Sequence, residues 1–140
     1  MKRILLAVSM LILFALIAGC TQTPPVQNTP VQGGNIVIGT VDQMPTESNV
    51  VIQVAPKDSI HKTIDVTFAG GAGQVQVKSI DVVYTGGDGG SLTQQLLPNK
   101  GATVTLQGTD QTDHVQVYVT LFNGKRYMVV NQTAPYQKAT

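Results

Sequence analysis

Residues 114–132 read HVQVYVTLFNGKRYMVVNQ, two apolar runs of about strand length on either side of Asn123-Gly124. Strands place successive side chains on opposite faces, so a run that alternates apolar with polar has one face in a core and one in water. Asn-Gly tolerates the positive φ that a two-residue type I′ turn demands, and alternating runs around it are a strong local sign of a hairpin. With that turn Phe122 stands opposite Lys125, Val119 opposite Met128 and Val117 opposite Val130 on the core side. Tyr118, Thr120, Tyr127 and Val129 then share the outer face.

Outward from this hairpin the same pattern recurs. Strands are expected at 35–39, 50–55, 60–68, 74–84, 92–97, 102–107, 114–122 and 125–132. Between them lie Gly70-Gly71-Ala72-Gly73, Gly86-Gly87-Asp88-Gly89-Gly90, Pro98-Asn99-Lys100-Gly101 and Gly108-Thr109-Asp110, all turn chemistry. In the run 60–68, Ile60, Ile64, Val66 and Phe68 share one face, with His61, Thr63, Asp65 and Thr67 on the other. Val104 and Leu106 alternate with Thr103, Thr105 and Gln107. Apolar parity switches between Val77 and Ile80, which marks a bulge or a bend between sheets. No helical period follows the N-terminal run. Seven or eight short strands over residues 35–140 predict an all-β fold, a single antiparallel β-sandwich.

The N-terminus has a different composition. Lys2 and Arg3 precede a fifteen-residue apolar run from Ile4 to Ala18, the length of an export signal's apolar region and short of the ~20 residues that span a bilayer. Ile17-Ala18-Gly19-Cys20 follows, and Cys20 is the only cysteine of the chain. Residues 21–34, TQTPPVQNTPVQGG, carry three prolines and no charge, a composition that holds a linker extended. The expected organisation is a signal over 1–19, Cys20 with a Pro-rich linker over 20–34, and a sandwich domain over 35–140. Without Lys2 and Arg3 the chain has seven basic and eight acidic residues. No basic stripe remains for nucleic acid.

Ile17-Ala18-Gly19-Cys20 resembles the lipobox of prokaryotic lipoproteins, with Ile17 where leucine is commoner. That resemblance implies lipidation of the Cys20 thiol, cleavage before it, and a membrane partner reached through the lipid outside the cytoplasm. The sandwich is similar to immunoglobulin-like domains in strand number and length, although the chain has no Trp and no second Cys. Asp113 and Tyr118 are similar to a tyrosine corner, with one residue too many between them. The combination of signal, linker and small β domain resembles uncharacterised surface lipoproteins of methanogenic archaea.

Catalytic and metal chemistry has few residues to draw on. His61 and His114 are both expected on solvent faces, short of the three or four convergent donors of a zinc site. Glu47 is the only glutamate, and Asp110 and Asp113 bracket a turn. Gly70–Gly73 lacks the Gly-Lys-Ser/Thr of a phosphate loop. Gly86–Ser91 matches a calcium nonapeptide in part, with Ser91 in place of its aspartate and a single copy; hairpin turns account for both clusters. Asn131-Gln132-Thr133 is a glycosylation sequon, with Asn131 on the outer face. Tyr118, Tyr127 and Val129 form a contact patch for a sugar or a partner, the covered outer face of a sheet, or ordinary cross-strand pairing.

These features lead to the expectation of a non-catalytic, lipid-anchored envelope protein with no cofactor, whose partner is an unknown envelope protein or glycan. The alternative is a small-ligand module, for sugar or calcium, within a larger transport or enzyme complex.

Overall fold

A computed structural model of the protein describes residues 39–138. The expected signal over 1–19, Cys20, the expected linker and nearly all of the strand expected at 35–39 lie outside the described residues. Among these residues there are seven strands: β1 (Val51–Val54), β2 (Thr63–Gly70), β3 (Val77–Thr85), β4 (Ser91–Leu96), β5 (Thr103–Gln107), β6 (Asp113–Leu121) and β7 (Arg126–Ala134). They form two antiparallel sheets, one ordered β1-β2-β5 and the other β4-β3-β6-β7. The all-β sandwich expected from the alternation is the fold observed. In constant-type immunoglobulin domains the fourth strand joins the sheet of the first, second and fifth; here it pairs with β3 instead.

The two inner faces supply the core. Ile64, Val66 and Phe68 of β2, Ile80 and Val82 of β3, and Val115, Val117 and Val119 of β6 are completely buried. Leu106 joins them from β5 and Leu96 from β4. Burying a side chain of this size contributes about 1.5–3 kcal/mol, so the faces read from alternation are the ones that hold the sheets together.

Three local expectations change. The run 60–68 begins as a turn: the Asp58 carboxylate accepts the N–H groups of Ile60 and His61, and Lys62 takes φ +61°. This short-range bonding competes with strand extension. Ile60 is therefore 72% exposed, not in the core. Residues 74–76 of the expected strand 74–84 form a 3-10 turn instead. Here the chain crosses between sheets against the backbone of Ser48 and Asn49. The Gly73 N–H donates to the Asn49 carbonyl at 2.9 Å, and a Cβ on Gly73 would lie 2.0 Å from the Ser48 carbonyl oxygen. The glycine run 70–73 is thus a passage from β2 to β3, whereas 86–90 is the hairpin turn expected between β3 and β4.

The third change is in the β6–β7 hairpin. Leu121 donates to Lys125 and Gly124 to Leu121, so the loop has three residues, Phe122 to Gly124, with Gly124 at φ +84°. A type I turn closed by one left-handed glycine replaces the type I′ turn. The register near the tip moves by one residue: Val119 stands opposite Tyr127 and Tyr118 opposite Met128. A bulge at Val129 moves it back, and Val117 stands opposite Val130 as expected. The parity switch in β3 is also a bulge, between Val77 and Ser79.

Candidate functional site

Charged side chains are costly to bury unless paired and fully hydrogen-bonded, so a buried pair is the first place to look for chemistry. Among the described residues one such pair lies at the end of the sandwich where three connections meet. Lys57 follows β1, Gly87 lies in the β3–β4 turn, and Thr109 and Gln111 lie between β5 and β6. Asp113 opens β6, and its carboxylate accepts four donors. Oδ1 accepts from the Gly87 N–H at 3.0 Å and from the Thr109 hydroxyl. Oδ2 accepts from the Thr109 N–H at 2.9 Å and from Lys57 Nζ at 2.6 Å. The Lys57 ammonium donates in addition to the carbonyls of Gln111 at 2.6 Å and Thr109 at 3.2 Å. Both side chains have no exposed surface.

The electrostatics follow from those contacts. Burial alone would push the Asp113 carboxyl up, but the Lys57 ammonium, the Thr109 hydroxyl and the N–H groups of Gly87 and Thr109 outweigh it. They hold the carboxyl below its ordinary value, because all of them favour the charged form. Beside it the Tyr84 hydroxyl is buried and has no hydrogen-bond partner. Burial, reinforced by the Asp113 charge, pushes that phenol from 10.0 up to about 12.

A second polar cluster lies on the outer face of the larger sheet. His114, expected in solvent, is 6% exposed, and its Nε2 lies 2.6 Å from the Asn131 side-chain oxygen. The Asn131 amide nitrogen donates to the Gly39 carbonyl at 2.9 Å. Asn131 is on the face that alternation assigns to it, but the segment beginning at Gly39 covers it, and its nitrogen, the atom a glycan would join, is already engaged. Three residues on, the Asp42 N–H donates to the Met128 carbonyl and the Met128 N–H to the Asp42 carboxylate, at 2.8 and 2.7 Å. This segment therefore covers the exposed edge of β7 at the bulge.

The expected Tyr118–Tyr127–Val129 patch is not assembled. Tyr118 faces outward with the Arg126 guanidinium 4.5 Å above its ring, whereas Tyr127 and Val129 pack against the core. The shift at the hairpin tip turns Tyr127 inward opposite Val119, and the extra residue of the bulge turns Val129 the same way. His61 stays exposed beside Asp58, at 3.2 Å, and not beside Asp65, whose carboxylate accepts the Thr105 hydroxyl. The Tyr118 hydroxyl makes no hydrogen bond to upstream backbone among the described residues, so the tyrosine-corner contact is not formed. Asp88 accepts the Gly90 N–H within its own turn at 3.0 Å. No group of three or more His, Cys, Asp or Glu converges among the described residues.

Lys57 is the member of the buried pair that sequence reasoning missed. A lone lysine after Pro56 carries no sign of burial, since lysines are almost always exposed. The signal for Asp113 was weak but present, in its place next to an apolar strand and four residues after a Gly-Thr turn. Comparison with protein-family models, with curated proteins and with solved structures gives no match for this chain.

Proposed function

We propose that the protein is a lipid-anchored envelope protein whose β-sandwich presents a structural or protein-binding surface outside the cytoplasmic membrane. The anchor rests on the lipobox resemblance at Cys20, and a thiol committed to lipid suits an exported chain with no other cysteine. The observation that carries the role of the domain is where its buried polar side chains go. Ser48, Lys57, Asp113, His114 and Asn131 each bond another segment of the same domain: Ser48 to Gln76, Lys57 to Asp113, His114 to Asn131. They brace connections to one another, as suits a rigid presenting module.

Two measurements test this. Replacing Cys20 with Ser removes the nucleophile that a lipid transferase would use, so incorporation of a labelled lipid precursor should be lost while the precursor remains uncleaved. Label retained on the Cys20→Ser protein would remove the anchor from the proposal. Crosslinking on intact cells should recover a defined envelope partner. Saturable heat on titration with calcium or a sugar, in place of such a partner, would favour the small-ligand module.

A further inference from the structure

An amine and a carboxyl group are the two halves of an amide, and here they are held in contact in a site closed to water. We propose that Lys57 and Asp113 condense into an intramolecular isopeptide bond, a covalent brace from the β1–β2 connection to the start of β6. Three features of the site support the reaction.

The first is proximity. Nζ and Oδ2 are 2.6 Å apart with both side chains fully enclosed, and holding two reactants in place converts a bimolecular step into an effectively unimolecular one. The Gln111 and Thr109 carbonyls fix the nitrogen. The second is the division of labour between the carboxyl oxygens. Oδ1 accepts from the Gly87 N–H and the Thr109 hydroxyl, two fixed donors on the oxygen that carries charge in the tetrahedral intermediate, as in an oxyanion hole. Oδ2 faces the amine, accepts the Thr109 N–H as well, and is the oxygen that leaves. The third is enclosure by backbone. A Cβ on Gly108 would lie 2.6 Å from Asp113 Oδ2, and one on Gly87 would lie 2.4 Å from the Gln111 Cβ; glycine at both positions lets the chain close over the pair.

The step balances from the ion pair without a further reagent. The Nζ–Cγ bond forms and the Cγ–Oδ2 bond breaks. One ammonium proton first passes across the 2.6 Å contact to Oδ2, which frees the nitrogen lone pair for attack and makes the carboxyl neutral. A second follows after the attack, Oδ2 departs as water, and the third remains on the amide nitrogen, with the Gln111 carbonyl in place to accept it. Nothing is oxidised or reduced. Two buried charges become one neutral amide, which removes the desolvation cost that a buried ion pair carries.

Peptide mapping of the full chain decides it. Cleavage after Glu47 and after lysine and arginine should give residues 48–62, uncut at Lys57, joined to residues 101–125 with a mass one water below the sum of the two. Fragmentation should place the link between Lys57 and Asp113. That linked species should account for most of the wild-type chain and be absent from Lys57→Arg and Asp113→Ala. A wild-type chain cut at Lys57, with residues 101–125 at full mass and at most a trace of linked peptide, would overturn the proposal. The wild-type map is sufficient by itself should either variant fail to fold.

Discussion

Tyr84 shows how one atom can set a stability limit. Its hydroxyl is buried beside Asp113 without a partner, so at neutral pH the group contributes ring packing and little hydrogen bonding. Burial pushes the folded phenol up from its ordinary 10.0 to about 12. A raised value means that the folded state favours the neutral form. The stability this confers is fully present below pH 10 and is lost as pH climbs through 12. Tyr84→Phe should therefore match or exceed wild type in urea at pH 8, since an unsatisfied buried hydroxyl is itself costly, and should lose less stability by pH 11. Urea midpoints at the two pH values check this; a wild-type loss no steeper than the variant's would refute it. Neither Tyr84 nor its neighbours were legible as a site. Tyr84 shares its face with the buried Ile80 and Val82 of β3. The meeting of Lys57, Thr109 and Asp113, however, depends on three connections converging, and local pattern carries no such information.

At the scale of the element, the β6–β7 hairpin was read correctly in its faces away from the tip and incorrectly at the tip. Asn-Gly admits both the two-residue turn and the three-residue loop, and the side chains around it do not choose between them. The cost of the second choice is a one-residue slip, which would turn Val130 from the core if the bulge at Val129 did not cancel it. A bulge also leaves its strand's outer edge with unpaired groups. Asp42 takes both of those at Met128. Asp42→Ala should leave the fold intact and selectively speed amide hydrogen exchange at Met128, with Val117 unaffected. Unchanged exchange at Met128 would show that the contact does not protect the edge. Elsewhere, element existence was plain because β-branched residues alternate cleanly. The misplaced starts at 60 and 74 both fall where Asp or Gly bonding redirects the backbone.

For the whole molecule, the legible part is the sandwich and the illegible part is how its two sheets are pinned. Val117 occupies the middle of β6 between Val82 of β3 and Val130 of β7 and is completely buried. Val117→Asp should abolish cooperative unfolding, because an unpaired buried carboxylate costs several kcal/mol against a total stability of about 5–15. A variant with the wild-type urea midpoint would sink the assignment of that face. The grip of Asp113 on Lys57 also determines how the domain yields to tension. A pull entering from the N-terminal side first strips Asp42 from Met128 and Ser48 and Asn49 from Gln76 and Gly73, and then reaches β1, an edge strand paired to β2 alone. With the proposed bond to Asp113 formed, the opening halts at Lys57, joined to the start of β6, a strand flanked on both sides. Residues 39–56, drawn straight, then span about 60 Å at ~3.4 Å per residue. The rest of the sandwich keeps its form, and the molecule behaves under load as a short extensible leash ending in a rigid stop.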